Sequence, residues 1–319
     1  MAETIDIAII GGGPAGLTAA IYGARARMNT QVFETAFPGG QIVSASWVEN
    51  YPGFPEGVSG ADLADLMDKQ AQKAGAQFHN MAPVEAIRRK GQDFVLTVDG
   101  KEFDARAVIL ATGAIPKKLG IPGEADFTGR GVSWCATCDG PLYHGKTVAV
   151  IGGGDSATQE APYLAKIADE VHLIHRREEL RATKCLQDQC FFHPKITMHL
   201  NYGISEITGE GGKVAGLRLR SKADDAEKLL PVDGVFEFVG IDAKSELVAD
   251  LCELNEAGFV KVDRNGVTST PGLYAAGDVS DYELKQVVTA CARGAFAAYH
   301  AAHYLETRAL GAKEAADKA

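Results

Sequence analysis

Two glycine-rich turns, starting at Gly11 and Gly152 and so 141 residues apart, limit what this chain can fold into more than any other feature. The first, Gly11-x-Gly13-x-x-Gly16, follows the apolar run Ile5–Ile10 and opens a helical stretch from 15 to about 27; a second strand, Thr30–Phe33, ends at Glu34. The second, Gly152-x-Gly154-x-x-Ala157, follows a strand at 147–151 and precedes a helix from 158 to about 168 and a strand at 171–174. Each reads as a β-α-β unit. Glycine there permits a tight turn, close approach of backbone to a pyrophosphate, and helix–strand packing, while free N–H groups at the helix start face the phosphates. Two such starts predict two similar domains, each with its own dinucleotide.

Two further strands frame the second unit. One at 107–110 runs into Ala111-Thr112-Gly113, and one at 272–276 runs into Gly277-Asp278. Both read as strand ends that return to the first nucleotide site. The expected fold is therefore α/β, with two Rossmann-like, three-layer dinucleotide-binding domains, the second inserted into the first. Residues 1–116 and 246–319 form the first domain and 117–245 the second, with linkers near Ile115-Pro116 and 240–245. The length of 319 residues agrees with about two domains.

Composition removes several function classes. The net charge is −10, from 32 basic and 42 acidic residues, and the longest basic run is Arg88-Arg89-Lys90, a poor match to a nucleic-acid backbone. The longest apolar runs are five residues, at 107–111 and 295–299, against the ~20 a membrane helix needs. The start, Met1-Ala2-Glu3-Thr4-Ile5-Asp6, has neither the basic nor the apolar part of a secretory signal. Six cysteines are too sparse for a disulfide scaffold, so a cytoplasmic protein is expected.

The two glycine turns differ in the residue types downstream of each. Glu34 lies 23 residues after Gly11, where a carboxylate can accept hydrogen bonds from ribose hydroxyls. The same offset from Gly152 falls on His175, next to Arg176 and Arg177, with Arg181 one turn further. A carboxylate repels a 2′-phosphate, whereas the arginine fork holds one. FAD at the first site and NADPH at the second fit that order.

Cys135-Ala136-Thr137-Cys138 precedes the second β-α-β unit and is followed by Asp139-Gly140. Two cysteines at this spacing can close a small ring and favour thiolate in one member. Zinc would need four ligands, and Cys185, Cys190, Cys252 and Cys291 supply no second pair at that spacing, with His144 the one stray candidate. A redox pair is favoured over zinc, and no metal site is expected.

Taken in order, Gly11-Gly12-Gly13-Pro14-Ala15-Gly16, Gly39-Gly40-Gln41, Ala111-Thr112-Gly113, Cys135-Ala136-Thr137-Cys138-Asp139, the turn 152–157, His175-Arg176-Arg177 and Gly277-Asp278 give a chain that resembles the bacterial-type, low-molecular-weight thioredoxin reductases over nearly its whole length. The resemblance implies a homodimeric flavoprotein that passes two electrons from NADPH through FAD and an internal Cys135–Cys138 disulfide to thioredoxin. It implies that Cys138 lies against the flavin, that Cys135 attacks thioredoxin, and that Asp139 donates and accepts the proton. It assigns FAD to Gly11, Gly13, Ala15, Gly16, Glu34, Gly40, Gln41, Asn50, Ala111, Thr112, Gly113, Gly277, Asp278, Gln286 and Val287. It assigns NADPH to Gly152, Gly154, Asp155, Ser156, Ala157, His175, Arg176, Arg177 and Arg181. It also implies a rotation of the NADPH domain about the two linkers, since one flavin face cannot stack a nicotinamide and a disulfide at once.

Some positions depart from the family pattern. Gln159-Glu160 stands where two acids are common, Pro162 falls inside a predicted helix, Lys285-Gln286-Val287 replaces Arg-Gln-Ala, and Cys291 and Arg293 replace small residues. Related chemistries compete for the same motifs. A reductase of a peroxiredoxin carries an N-terminal thioredoxin-fold extension, whereas this sequence begins at the flavin strand. A dithiol oxidase acting on small dithiols does not need the His-Arg-Arg cluster. A ferredoxin–NADP reductase lacks the cysteine pair, and a non-catalytic nucleotide sensor has no use for Asp139 beside it.

Overall fold

The computed structural model describes residues 4–45 and 47–316, with side chains as far as 310. The chain divides into two compact units, changing from one to the other after Ile115 and back after Ile241. The sequence places these crossings at 116/117 and 245/246, a few residues later. Ala114–Pro116 and Ile241–Ala243, at the two crossings, pair as a two-stranded ribbon.

The first unit is built on a seven-stranded sheet. Its spatial order is Gln77–His79, Thr30–Phe33, Ile5–Ile10, Lys101–Leu110, Asp93–Val98 and Val84–Lys90, with Leu273–Ala275 also paired to Lys101–Leu110. Ile5–Ile10 lies parallel to both neighbours, with Ile7 opposite Thr30 and Ala107. Strand Lys101–Leu110 is longer than the 107–110 expected. Its first six residues carry charged Lys101, Glu102, Asp104 and Arg106, and 101–105 pair antiparallel to Asp93–Val98, so only its buried end carries a continuous apolar run.

One face of this sheet is covered by helices Pro14–Arg25, Gly60–Ala74 and Val287–Ala316, around Ile7, Ile9, Leu17, Leu63, Ala298 and Leu305. Each fully buried aliphatic side chain there contributes about 1.5–3 kcal/mol. Ser59 caps the second helix, its Oγ accepting from the Asp62 N–H at 3.0 Å. The opposite face packs Ala8, Ile10, Phe33, Phe94, Leu96 and Val260. None of the helices in the described residues is long and apolar enough to cross a membrane.

The second unit repeats the plan with a five-stranded parallel sheet. Its order is Ile196–Leu200, Glu170–His175, Thr147–Gly152, Gly234–Phe238 and Val132–Ser133. A three-stranded antiparallel sheet, Tyr202–Glu210, Lys213–Ser221 and Glu227–Pro231, packs on one face through Ile207, Leu217 and Leu219. Helices Asp155–Ala165 and Lys184–Phe191 pack on the other.

Helix Asp155–Ala165 begins three residues before the Thr158 expected, because Gly154 is already its N-cap and the residues after the glycines belong to the first turn. Pro162 remains inside this helix. Having no N–H, it cannot serve the carbonyl of Thr158. The buried thiol of Cys190 does so instead, donating to the Thr158 oxygen at 3.3 Å. Burial pushes that thiol up to about 11, which keeps its proton in place for the bond.

Candidate active site

The first glycine turn is held by contacts that leave no room for side chains. A Cβ on Gly16 would lie 1.9 Å from the Gly11 oxygen, and one on Gly11, at φ +104°, 2.4 Å from the Ala111 oxygen. Helix Pro14–Arg25 begins at Gly13 with no side-chain cap and no acid in its first turn, so its positive end is open to an anion. Glu34, at the end of the next strand, has both carboxylate oxygens held. Oε2 accepts from the Gly12 N–H at 2.6 Å and Oε1 from the Ala36 N–H at 3.0 Å. The carboxylate is thus fixed at the rim of the turn by backbone donors.

The other first-site residues surround this turn. Gly40 approaches Gly13 so closely that a Cβ would sit 2.9 Å from its Cα, and the Gln41 amide donates to the Ala114 oxygen. Thr112 Oγ1 donates to the Lys244 oxygen at 2.5 Å. The Asn50 amide donates to Gln286 Oε1 at 3.0 Å, just before helix Val287–Ala316 begins. A Cβ on Gly277 would lie 2.8 Å from that of Ala15, which brings the Gly277–Val279 turn against the start of the first helix.

The Asp278 carboxyl is raised above its ordinary range by burial, with Lys285 opposing. Lys285 explains its own place. Its ammonium donates to the Asp278 and Ser280 carbonyls at 2.9 and 3.1 Å and lies 4.2 Å from the centre of the Phe259 ring, bracing the turn that carries Asp278. The sequence marks Lys285 only as a departure, because its partners are carbonyls and carry no residue signature. Arg293 stacks on Tyr282, 3.4 Å from the ring centre, and donates to the Arg264 oxygen at 3.0 Å. Cys291 is buried with its sulfur 3.8 Å from the Tyr51 hydroxyl.

At the second glycine turn, Gly154 caps helix Asp155–Ala165 without a side-chain bond, and Asp155 Oδ1 accepts from the Thr183 N–H at 2.9 Å. The Arg181 and Ala182 N–H groups both donate to the Gly153 oxygen, at 2.6 and 3.2 Å, so the segment after His175 folds back over the turn. Arg176, Arg177 and Arg181 are exposed, whereas His175 is buried. A Cβ on Gly153 would lie 2.2 Å from His175 Nδ1. The ring therefore packs under the glycine turn, and burial first, then the Arg181, Arg177 and Arg176 charges, lower its pKa. The charge open to solvent at this site belongs to the three arginines.

Cys135 and Cys138 are joined in a disulfide with Cα atoms 5.3 Å apart. Strand Val132–Ser133 delivers Cys135 to the N-cap of the short turn Ala136–Asp139. The surroundings of the two sulfurs differ. Cys135 Sγ accepts from the Cys138 N–H at 3.2 Å and lies 3.4 Å from the Thr137 hydroxyl, while Ser133 Oγ holds the Cys135 N–H at 3.1 Å. Donors aimed at a sulfur favour its thiolate. Ser133 and Thr137 do not stand out in the sequence, since serine and threonine in a turn carry no chemistry of their own. Asp139 directly follows Cys138, and its charge, after burial, helps raise nearby Tyr143 to about 12.

Comparison with known proteins agrees with this geometry. Residues 5–294 match the family described as pyridine nucleotide-disulphide oxidoreductase. The chain is 43% identical over 302 residues to the thioredoxin reductase of Listeria monocytogenes, covering 94% of each chain. It is 44% identical over 309 residues to that of Helicobacter pylori, covering 95% of this chain and 99% of the other. The crystal structure of thioredoxin reductase from Streptococcus pyogenes aligns with a TM-score of 0.90 at 38% identity, over 95% of this chain and 99% of that one. A disulfide-bonded Cys135–Cys138 pair, two glycine turns that each open a helix and these matches together place the chain in the pyridine nucleotide-disulphide oxidoreductases, as a member of the thioredoxin reductases.

Proposed function

We propose that this enzyme uses FAD and NADPH to reduce the disulfide of thioredoxin, as a cytoplasmic homodimer. The observation that carries the reading is the Cys135–Cys138 disulfide in a unit whose own glycine turn is flanked by exposed arginines. FAD, when bound, supplies the two-electron relay between a nicotinamide and a disulfide. The first turn fits it: an uncapped helix end suits a pyrophosphate, and Glu34 is fixed where ribose hydroxyls fall. Gly11, Gly13, Ala15 and Gly16 hold the phosphates, with Gly40, Gln41, Asn50, Ala111, Thr112, Gly113, Gly277, Asp278, Gln286 and Val287 around the rest of the cofactor. In the second unit Gly152, Gly154, Asp155, Ser156 and Ala157 form the pyrophosphate turn. Arg176, Arg177 and Arg181 hold the 2′-phosphate, and His175 supports the turn from beneath.

The chain's own residues then perform the thiol chemistry. The Cys135 thiolate attacks one sulfur of the thioredoxin disulfide, forming a mixed disulfide and releasing a thiolate that takes a proton. Cys138 attacks Cys135 Sγ, restoring the internal disulfide and releasing the second thioredoxin thiol, with Asp139 as the proton donor and acceptor. The net change is NADPH, a proton and a disulfide to NADP⁺ and a dithiol. Exposed Phe296 and Tyr299 on helix Val287–Ala316 support a second copy as partner. Four free cysteines support a reducing compartment. The test is anaerobic addition of NADPH followed by thioredoxin, recording NADPH oxidation. Stoichiometric NADPH oxidation with thioredoxin thiols formed is expected. Flavin bleaching with no thiols released to thioredoxin would overturn the reading.

A further inference from the structure

One buried acid in the second unit is used by none of this chemistry. Glu237 is 2% exposed on strand Gly234–Phe238, on the sheet face packed with Val132, Ile151, Ile207 and Leu217. A carboxylate in such apolar surroundings is costly unless it is partnered. Its Oε2 accepts from the Trp134 indole N–H at 3.1 Å, and its Oε1 is buried without a donor.

The neighbouring acid is better supplied with donors. Glu124, also buried, has its carboxylate held by three backbone donors, the Leu119, Gly120 and Ile121 N–H groups, at 3.0, 2.6 and 3.4 Å. Among the described residues, the one N–H donor to Glu237 is the indole. Burial, and then the charge of Glu124 and a hydrogen bond shared with it, push the Glu237 carboxyl up to about 8, against the opposing pull of Trp134 and Lys118. Below that pH the carboxyl is a neutral acceptor for the indole.

The position of this bond gives it a consequence. Val132 and Ser133 pair in parallel register with Val235 and Phe236, and the ladder stops there. Trp134 and Glu237 are the next residue on each strand, so their side-chain bond extends the pairing by one position. The following residue is Cys135, whose N–H is held by Ser133 Oγ. Resting on the reading of Cys135–Cys138 as the redox pair, we infer that Glu237 is a positioning residue for the disulfide, acting through the Trp134 indole to hold the backbone that presents Cys135.

The test uses the full-length flavoprotein and four substitutions. Glu237→Gln keeps a neutral acceptor, Glu237→Val removes it with an apolar side chain suited to the surrounding cluster, and Trp134→Phe removes the donor. The Cys135–Cys138 dithiol–disulfide ratio is measured in dithiothreitol buffers at neutral pH by alkylation and mass. Glu237→Val and Trp134→Phe are expected to shift it about three- to tenfold, the effect of one lost hydrogen bond, and Glu237→Gln to stay near wild type. The chain has two tryptophans, so Trp47→Phe leaves Trp134 as the sole emitter. Its emission is expected to change with a midpoint near pH 8 and to lose that transition when Glu237→Gln is added. An unchanged ratio in Glu237→Val or an equal shift in Glu237→Gln would each overturn the inference. If thioredoxin is still turned over by wild type while Glu237→Val leaves the ratio unchanged, the positioning role falls and the proposed function stands.

Discussion

Cys135 and Cys138 share a bond but not an environment. Only Cys135 Sγ gathers the Cys138 N–H and the Thr137 hydroxyl, which supports the proposal that Cys135 is the attacking sulfur. Cys138→Ser is therefore expected to accumulate a mixed disulfide with thioredoxin through Cys135, whereas Cys135→Ser should not, and neither variant should turn over; intact mass of the trapped species checks this. Asp139→Asn should keep the disulfide yet turn over roughly 10²–10⁴-fold more slowly. The arginines give the second residue-scale expectation. A charged hydrogen-bond pair to phosphate contributes about 1.5–3 kcal/mol, so Arg176→Ala with Arg177→Ala should raise the NADPH KM about 10- to 100-fold and leave that for NADH nearly unchanged. These residues are legible in the sequence because their spacing is itself chemistry. His175 is legible as a position, and the structure adds that its ring is buried against Gly153.

At the scale of elements, helix Asp155–Ala165 keeps a proline because a neighbouring helix supplies the missing donor. Cys190→Ala should destabilise the protein by about 1–3 kcal/mol, since it leaves the Thr158 carbonyl unserved. Pro162→Ala should recover more stability in the Cys190→Ala background than in wild type, as the new N–H reaches that carbonyl; a double-mutant cycle of denaturant melts measures the coupling. Strands Glu170–His175 and Ile196–Leu200 make the acid-sensitive part of the second unit. They carry the buried pair His172 and His199, with ring nitrogens 3.2 Å apart and Lys228 at 3.2 Å from the other nitrogen of His199. Burial, then Lys228 and His172, lower His199 to about 4, below the ~6.5 of an unfolded histidine. The unfolded chain thus binds a proton that the folded one rejects, and stability falls as pH drops from about 6.5 towards 4, by roughly 3 kcal/mol at most. Urea midpoints at pH 7 and 4.5 should show a smaller loss for His199→Gln than for wild type.

At the scale of the whole molecule, the second unit is inserted through two crossings that pair with each other. Lys244 N–H bonds to Gly113 O within the first unit, and Lys117 N–H to Gly240 O within the second, so each unit closes its own end of the ribbon. Replacing 116–241 by a short glycine–serine linker should leave the first unit folded and able to take up FAD, with no response to NADPH; circular dichroism and visible absorption test this. Loss of both signals would show that the units do not fold separately. Much of this plan is written in the chain. The glycine turns, the apolar strands before them, Glu34 against Arg176 and Arg177, and the Cys-Ala-Thr-Cys segment all lie within short stretches, where backbone sterics and residue chemistry act over a few positions. The ten-residue strand Lys101–Leu110, the start of helix Asp155–Ala165 at Gly154, the Lys285 brace on two carbonyls, the Cys190 thiol on Thr158 and the Glu237–Trp134 bond are not. The Cys190 and Glu237 bonds join residues 32 and 103 positions apart, which only burial in a shared core brings within bonding distance and makes costly to leave unpaired; the Lys285 brace is closer in sequence, but its partners are carbonyls that every residue carries.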